Sequence, residues 1–283
     1  MDLIKRNDII LKERDKNSHK GNYGKILVVA GSVGMAGAAV MCGNAVIKSG
    51  SGLVTFAVPK EIFNILQVAV PEAMCLERDF DDVINMHRYD AIALGSGIGQ
   101  GKENISIIKK LLNEYTGKLI IDADGLNCIM KYSLFGNVRQ SNADIIMTPH
   151  LGEAARLLEI DEITEENKNI AAKEIQEAFS SIVVMKGANT VVVSDNKIYV
   201  NNSGNPGMAT AGAGDVLTGI ITSLAGQGYN TFNAAKYGVF IHGLSGDICA
   251  QDIGQIGMTA MDIMSNVPKA FKLIQEHNKN NGK

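Results

Sequence analysis

Several features that define particular protein classes are absent from this sequence of 283 residues. Positive charge is not in excess, because 27 lysines and arginines stand against 30 aspartates and glutamates, and the formal net charge is −3. No lysine- or arginine-rich run concentrates positive charge locally. Such a surface does not attract the phosphate backbone of nucleic acids or an anionic membrane. The composition therefore predicts no nucleic-acid partner and no membrane attachment.

Cysteine is also scarce, and the four cysteines lie far apart, at Cys42, Cys75, Cys128 and Cys249. No CxxC pair or histidine–cysteine cluster has the spacing of metal ligands, so neither a zinc knuckle nor a directly held metal ion is predicted. A chain without a disulfide framework is typical of a reducing compartment. The N-terminal segment carries too many charged side chains for the apolar core of a signal peptide. We therefore expect a cytoplasmic protein.

One uncharged stretch, residues 26–47, is long enough to cross a bilayer. Its glycines cluster where a turn would fall, however, and it also contains Ser32 and Asn44. These residues favour a buried strand, a glycine-rich turn and a buried helix over a transmembrane span. With 46% hydrophobic residues and 30 glycines, the whole chain has the composition of a folded, loop-rich globular protein.

Short apolar and β-branched runs alternate with helical patterns along most of the chain. The runs are mostly continuous rather than alternating, as expected for parallel strands covered on both faces. We predict strands at residues 26–30, 53–58, 91–94, 118–121, 145–147, 182–185 and 190–193. Helices are predicted at residues 102–115, 152–159, 165–179, 214–225, 231–250 and 259–277. This order predicts a doubly wound α/β sandwich with a mainly parallel sheet.

No internal repeat, low-complexity tract or Pro/Ser-rich linker divides the sequence. A chain of this length can bury one large α/β core, so a single domain at residues 21–277 is the economical prediction. Residues 1–20 are predicted to form a charged N-terminal arm. Residues 278–283 are predicted to form a frayed tail.

The strongest chemical pattern is a loop of small residues at 201–214 that enters an apolar helix near Asp215. The first N–H groups of a helix lack partners within it, and the helix dipole adds positive potential, so a phosphate can bind there. The dipole also favours the ionised form of Asp215, which would be a weak base at rest but could accept a hydroxyl proton as the oxygen reacts. Taken alone, the same residues could simply form a tight turn and a favourable helix start.

Other short motifs are weak alone but specific in their order. They are Asn22-Tyr23-Gly24-Lys25, Ala30-Gly31-Ser32, Gly37-Ala38-Ala39, Gly95-Ser96-Gly97-Ile98-Gly99, Asp122-Ala123-Asp124-Gly125-Leu126-Asn127, Thr148-Pro149-His150-Leu151-Gly152-Glu153, Lys186-Gly187-Ala188-Asn189-Thr190 and Gly212-Ala213-Gly214-Asp215. Together they resemble the ADP/ATP-dependent NAD(P)H-hydrate dehydratase family of the ribokinase-like superfamily, over nearly the whole chain. Ala211 and Ala213 stand where relatives often carry Gly and Ser or Thr, but backbone donors do not depend on those side chains.

The resemblance implies a ribokinase-like fold and a role for each of several residues. Asp215 would be the catalytic base. The substrate would contact Ala39 through its backbone, and also Gly99, His150 and Asp215. The anion hole would consist of Gly212, Ala213 and Gly214. The adenine nucleotide would bind to Lys186, Gly187, Ala188, Asn189, Thr190 and Gly214.

Some of these residues have a second interpretation from the sequence itself. His150 follows a predicted strand and can hydrogen-bond a ligand without becoming charged, but it could instead cap the next helix. Glu153 could be a helix-start carboxylate, or it could help to hold a metal ion through water. Residues 186–190 join two apolar strands and could be a plain hairpin turn or a phosphate- and ribose-binding segment.

The activity implied by the resemblance is a hydro-lyase reaction on the S epimer of hydrated NADH or NADPH. ADP or ATP would phosphorylate the C6 hydroxyl, and phosphate would then be eliminated. Mg²⁺ would be held largely by the nucleotide's phosphates. The resemblance also implies a homotetramer, and a separate NAD(P)H-hydrate epimerase as functional partner, because the chain has too few residues for an epimerase domain.

The closest alternative is a small-alcohol kinase of the same superfamily, for example one acting on a hydroxyethylthiazole-type vitamin precursor. It would share residues 212–215 but not obviously the motifs at 148–153 and 186–190. A nucleotide-binding regulator without catalysis is a further alternative. Two nucleotide-binding fingerprints are excluded, because residues 21–25 lack the P-loop spacing and Gln100 replaces the third glycine of a dinucleotide-binding motif.

Overall fold

The structure, a computed structural model, describes residues 2–78, 82–195, 197–280 and 282. Strands and helices alternate over most of this length. The strands are β1 (Asp2–Leu3), β2 (Lys25–Val29), β3 (Leu53–Val58), β4 (Met74–Glu77), β5 (Ala91–Leu94), β6 (Lys118–Ile121), β7 (Asp144–Met147), β8 (Ile182–Met185), β9 (Val191–Ser194) and β10 (Lys197–Val200). The helices are α1 (Ala36–Lys48), α2 (Phe63–Ala69), α3 (Asn104–Glu114), α4 (Asp124–Lys131), α5 (Phe135–Arg139), α6 (Leu151–Leu157), α7 (Lys168–Phe179), α8 (Ala213–Gly226), α9 (Thr231–Ile253) and α10 (Ala260–Asn280).

The ten described strands form one sheet, in the order β1-β10-β9-β8-β7-β6-β5-β2-β3-β4. From β4 across to β8 every pairing is parallel; on β2, for example, Leu27 lies opposite Thr55 of β3 and Ile92 of β5. The hairpin pairings β8–β9 and β9–β10 are antiparallel, and β1 adds to β10 in parallel. The parallel strands therefore all end at one edge of the sheet, where the loops that follow them meet.

Alternate side chains of the strands enter two separate cores. Ile26 and Val28 pack in a core with α1, α8, α9 and α10, whereas Leu27 and Val29 pack with α3 to α7 on the other face. Helices α1 and α8 approach closely, because a Cβ atom at Gly219 would lie 2.3 Å from the carbonyl oxygen of Cys42. Glycine at that position allows the start of α8 to lie beside α1 at the carboxyl edge of the sheet.

The predicted fold class is confirmed as a doubly wound, ribokinase-like α/β sandwich with a mainly parallel central sheet and helices on both faces. Each predicted strand is present, and no boundary differs by more than one residue. Residues 26–47 form most of β2, a turn and most of α1, as the glycine pattern predicts. Within the described part of the chain, no helix combines the length and the hydropathy that crossing a bilayer demands.

The elements that the sequence analysis missed are short or lie at the edges of the fold. The strands β1 and β4 are the two edges of the sheet, and Met74 on β4 is 51% exposed, so no continuous apolar run marks them. Strand β10 is only half-buried, and α5 has five residues. Helix α4 begins inside the motif at residues 122–127, where no apolar periodicity precedes it.

The two ends of the chain pack against the body of the fold and against each other. The N–H of Ile4 donates to the carbonyl of Val200 over 2.9 Å, and Ile4 and Ile9 are 2% and 0% exposed. The side-chain amide of Asn278 on α10 donates to the carbonyl of Ile9 over 2.8 Å. Part of the predicted arm and part of the predicted tail thus belong to the packed structure, and the charged residues of the arm remain at the surface.

Candidate functional site

The helix α8 starts from a tight turn at Gly212, whose φ is +90°. This left-handed backbone favours glycine, and a Cβ atom here would lie 2.2 Å from Sδ of Met41 on α1, so that this flexible side chain would have to shift. The next N–H, that of Ala213, donates to the carbonyl of Thr210 over a long 3.3 Å. The residues predicted as the anion hole, 212–214, therefore lie at the N-terminus of α8, where the helix dipole favours a bound anion.

Asp215 is half-buried in the same turn, and its surroundings change its acidity. Burial raises the pKa of Asp215, the carboxylate of Asp122 raises it further, and Lys186 offsets only part of the effect. The result is a rise from the ordinary value of 3.8 to about 7. Desolvation and a like charge thus outweigh the helix dipole, which by itself would favour the ionised form of Asp215. A group with this pKa can both accept and release a proton near neutral pH.

A buried charge pair lies beneath the turn. Asp122 directly follows β6 and is 1% exposed. Its Oδ1 accepts a hydrogen bond from Nζ of Lys186 over 2.5 Å, and its Oδ2 accepts one from the hydroxyl of Thr218 over 2.8 Å. Nζ of Lys186 also lies 3.6 Å from Oε2 of Glu153 and borders Gly214. Burial lowers the pKa of Lys186, but the two carboxylates raise it more strongly, so the net shift is upward. A positive charge is thus held beside the start of α8.

The sequence analysis gave Asp122 no role, although the residue directly follows a predicted strand. The same criterion singled out His150, so it could have found Asp122 as well. Thr218 was missed because it lies among the apolar residues of α8, where nothing in the pattern distinguishes it from an ordinary buried helix residue.

His150 and Glu153 cap the start of α6. Nδ1 of His150 accepts from the N–H groups of Gly152 and Glu153 over 3.0 and 3.2 Å, and Oε2 of Glu153 accepts from the N–H of His150 over 2.8 Å. Both residues thus take the capping roles that their sequence left open. Because Nδ1 is an acceptor, the proton of a neutral ring is on Nε2, which lies 3.4 Å from Oε1 of Glu153. The exposed Nε2–H remains available to a ligand at this edge.

The loops after β2 and β5 are joined at the same edge of the sheet. The N–H of Gly31 donates to the carbonyl of Ser96 over 2.7 Å. The N–H of Gly99 donates to Oδ2 of Asp124 over 2.9 Å, which connects this loop to the turn that contains Asp122. Gly99 therefore lies at the same edge as the charge pair and His150.

Ala39, for which the resemblance implies a backbone contact with the substrate, lies inside a helix. Helix α1 begins at Ala36, and Ala39 lies one turn further along it with 0% exposure. The neighbouring Ala38 is partly exposed. Ala39 is covered by the loop after β2, since a Cβ atom at Gly31 would lie 3.0 Å from its Cβ atom.

A cavity of about 500 Å³ adjoins the start of α8. Its wall includes residues 186–190, much of the loop at 201–209, and the apolar side chains of Leu217 and Val239. Residues 186–190 do form the hairpin turn between β8 and β9, in which the hydroxyl of Thr190 donates to the carbonyl of Gly187 over 3.0 Å. The segment is therefore both a hairpin turn and part of a cavity wall, and the two interpretations are compatible.

The ring of His242 on α9 also lines this cavity and was missed by the sequence analysis. Its Nε2 is buried and has no hydrogen-bond partner among the described residues. Burial lowers the pKa of His242 to about 4, so the ring is neutral at neutral pH. Such a ring can form one further hydrogen bond with a ligand. No sequence pattern identifies it, because α9 is a long, largely buried helix.

Comparison with known proteins agrees with this geometry. Residues 26–269 match the family described as NAD(P)H-hydrate dehydratase. The ADP-dependent (S)-NAD(P)H-hydrate dehydratase of Neisseria meningitidis is 37% identical over 249 residues, which cover 87% of this chain and 83% of that protein. The bifunctional NAD(P)H-hydrate repair enzyme of Moorella thermoacetica is 37% identical over 281 residues, which cover 94% of this chain and 52% of that protein.

A solved structure shows the same similarity. The ADP/ATP-dependent NAD(P)H-hydrate dehydratase of Bacillus subtilis, co-crystallised with ATP and Mg²⁺, superposes with a TM-score of 0.86 at 25% identity and covers 96% of this chain and 98% of its own. This chain spans about half the length of the bifunctional relatives that it matches. The match over residues 26–269 and the similarity to these relatives establish that the chain belongs to the NAD(P)H-hydrate dehydratase family.

Proposed function

We propose that this protein dehydrates the S epimer of hydrated NADH or NADPH, with ADP or ATP as phosphoryl donor. The observation that carries the proposal is Asp215, a carboxylate with a pKa of about 7 in the first turn of α8, a helix whose residues Ala213 and Leu217 line a cavity of about 500 Å³. A base, an anion-binding helix start and a cavity meet there, as phosphoryl transfer to a hydroxyl requires. The names of the relatives supply the substrate and the donor.

The proposed reaction has two stages. Asp215 accepts the proton of the C6 hydroxyl while the hydroxyl oxygen attacks the terminal phosphorus of the nucleotide. The bond between that phosphorus and the bridging oxygen breaks, so ADP leaves from ATP, or AMP leaves from ADP. The lone pair of the ring nitrogen then expels phosphate from C6. Loss of the C5 proton forms the C5–C6 double bond and restores the dihydropyridine. The oxygen of the lost water ends in the released phosphate, so the atoms balance.

The residues around Asp215 would stabilise the charge that develops on the transferred group. The N–H groups at the start of α8 are fixed by the turn at Gly212 before any ligand binds. Nζ of Lys186 adds a positive charge beside Gly214. Asp122 is a positioning residue, because it holds Nζ of Lys186 over 2.5 Å and also raises the pKa of Asp215.

Mg²⁺ would bind together with the nucleotide. Across the described ranges, no group of three or more His, Cys, Asp or Glu residues could hold a metal ion. The ion would take its ligands from the phosphate oxygens, with Glu153 reaching it through water. Glu153 suits such an indirect role, because it is 5% exposed and its Oε2 already accepts from the N–H of His150. Mg²⁺ would neutralise part of the phosphate charge.

The predicted ligand contacts remain proposals with different degrees of structural support. Gly99 and His150 lie at the edge of the sheet where the hydrated nicotinamide must approach Asp215. The Nε2–H group of His150 takes no part in capping α6. Residues 186–190 and Gly214 line or border the cavity proposed for the adenine nucleotide. The contact to Ala39 has the least structural support, because this residue is fully buried and the loop at residues 31–35 above it is held by hydrogen bonds, such as that from the hydroxyl of Ser32 to the carbonyl of Gly97 over 2.9 Å.

The function is tested by incubating the purified protein and Mg²⁺ with hydrated NADH and, in separate reactions, ADP, ATP or no nucleotide. The proposal predicts that the absorbance band of the dihydronicotinamide returns only with a nucleotide, together with one phosphate for each molecule restored. A stable phosphoester without that band would instead support the small-alcohol kinase. Nucleotide binding without either product would support a non-catalytic regulator.

Three further proposals concern the functional partner, the oligomeric state and the cellular location of the protein. A separate NAD(P)H-hydrate epimerase would supply the S epimer, a pairing supported by relatives that are named bifunctional repair enzymes. The homotetramer implied by the resemblance is tested by sedimentation. A reducing, cytoplasmic location stays a prediction from the cysteine spacing; Cys42, Cys75, Cys128 and Cys249 are all free thiols in the structure.

The pH dependence of turnover tests the role of Asp122. Because Asp215 must be ionised to accept a proton, kcat/KM should rise with pH through about 7 in the unaltered protein. Asp122→Asn removes a negative charge that raises the pKa of Asp215, so the midpoint should move down by about one pH unit. The matched control is Asp144→Asn, an exposed position at the start of β7, at the opposite end of the strands. An unchanged midpoint in folded Asp122→Asn protein would contradict the coupling.

A further inference from the structure

A second groove begins where the proposed substrate contacts end. It has a volume of about 790 Å³ and is lined by Gln100, Asn127, Met130, Lys131, Arg156, Glu159, Ile160 and Asp161. The groove borders residues of the proposed substrate site, since Gln100 directly follows Gly99, and a Cβ atom at Gly152, two residues after His150, would lie 3.9 Å from Nη1 of Arg156. The groove lies between α4 and α6, outside the cavity proposed for the adenine nucleotide.

Two cations in this groove are held in place by neutral groups. Nζ of Lys131 donates to the carbonyl of Gln100 over 2.9 Å. Nε of Arg156 donates to Oδ1 of Asn127 over 3.1 Å, which leaves the two terminal nitrogens of the guanidinium free to face a ligand. Within the described part of the chain, neither cation forms an ion pair. Both side chains are therefore oriented by neutral groups and keep nitrogens that can donate to an anion, although Glu159 and Asp161 line the same groove.

The distance along α4 fits a dinucleotide. Asp124, at the start of the helix, bonds to Gly99 at the substrate edge, and Lys131 is its last residue. A helix of this length covers about 10 Å between those residues. One ribose separates the nicotinamide ring from the pyrophosphate of NADH, so a ring placed at Asp215 carries its pyrophosphate outward by a comparable distance.

We propose that Lys131 and Arg156 bind the pyrophosphate of the hydrated dinucleotide substrate, with the guanidinium as a two-nitrogen donor and Nζ as a point charge. The proposal rests on the proposed function and assigns the position of the half of the substrate that does not react. It makes these side chains contribute to substrate affinity but not to the chemical step. The adenine nucleotide binds in the other cavity and is not affected by them.

The test is the double variant Lys131→Gln, Arg156→Gln, which keeps polar side chains and removes both charges. We expect KM for hydrated NADH to rise about tenfold or more, with kcat and the KM for ADP unchanged. The dissociation constant of NADH itself, measured by its fluorescence, should rise by the same factor. It should also increase less steeply with added salt than in the unaltered protein, because two charge–charge contacts have been removed. Lys272→Gln, which removes a lysine that is 74% exposed on α10, is the matched control.

The outcomes separate this inference from the proposed function. Unchanged affinity for NADH and hydrated NADH in the double variant would overturn the inference, and so would an equal loss of affinity for ADP, which would indicate general damage to the fold. The fluorescence titration uses no turnover, so it decides the question even if no dihydronicotinamide is formed. A wild-type protein that neither binds NADH nor converts its hydrate would overturn both proposals.

Discussion

Replacement of Asp215 with asparagine is expected to lower the turnover of hydrated NADH by about 10³-fold, with the affinity for ADP within about twofold of the unaltered protein. The amide keeps the size of the carboxylate but cannot accept the hydroxyl proton. Nucleotide binding should persist, because the turn at Gly212 and the hairpin at residues 186–190 do not depend on that charge. Single-turnover formation of dihydronicotinamide and calorimetric titration with ADP provide the two measurements.

The same variant should be more stable than the unaltered protein, and the gain should depend on pH. The folded pKa of Asp215, about 7, lies above its ordinary value of 3.8, so ionisation disfavours the folded state. This cost increases as pH rises from about 4 to about 7 and is then constant. Asparagine removes it, so the gain should be on the order of 2 kcal/mol at pH 8 and smaller at pH 5. Urea denaturation at both pH values measures the difference.

A loss of both activity and stability in Asp215→Asn protein would contradict this account. It would mean that the carboxylate stabilises the fold through contacts that outweigh its desolvation. Near-normal turnover with intact nucleotide binding would instead remove Asp215 from the proposed chemistry, and the next acid to test at the carboxyl edge of the sheet would be Asp124.

The second large effect is expected from Gly212→Ala. The new Cβ atom would lie 2.2 Å from Sδ of Met41 and would force a left-handed backbone on a residue with a side chain. We expect kcat/KM to fall about 10²-fold, because the N–H groups at the start of α8 would move from the transferred phosphoryl group. The free energy of unfolding should also fall, by roughly 1–3 kcal/mol. Kinetics and urea denaturation give the two values.

Two controls divide this effect into its causes. Gly136→Ala changes a glycine of α5 whose Cβ would meet no atom within 4 Å, so activity should be unchanged and stability should rise by at most about 1 kcal/mol. Adding Met41→Ala to Gly212→Ala removes the clash with Sδ but not the backbone strain. Partial recovery of kcat/KM in the double variant is therefore expected. Full activity in Gly212→Ala alone would show that the turn does not need to be as tight as the structure has it.

The parts of this protein that could be predicted from sequence are those encoded by consecutive residues. Residues 91–94 form a continuous apolar run and become β5 in the buried centre of the sheet, because only such a run can be covered on both faces. The turn and the carboxylate at residues 212–215 are likewise encoded locally, so their position at the start of α8 follows from the order of the residues in this segment. Their catalytic assignment came from resemblance and remains to be tested.

The charge network was not predictable, because it depends on the order of strands. Asp122, Glu153 and Lys186 follow β6, β7 and β8, and they meet only because these strands are neighbours in the sheet. The sequence contains no pairing information of that kind. The raised pKa of Asp215 could not be foreseen for the same reason: its main causes are burial and a carboxylate from another strand. The burial of Ala39 depends in turn on how the loop after β2 folds over α1.

The packing of the first residues also determines the order in which the fold can be completed. Strand β1 pairs with β10, and the carbonyl of Ile9 accepts from Asn278 near the end of α10. During synthesis these segments are made long before their partners, because Tyr199 follows its partner Asp2 by about 200 residues and Asn278 follows Ile9 by 269. Contacts of such large sequence separation form late, since the intervening chain must first be ordered. One side of β10 thus stays unpaired until β1 adds to it, and a chain released before α10 has formed lacks the partner that holds Ile9 in place.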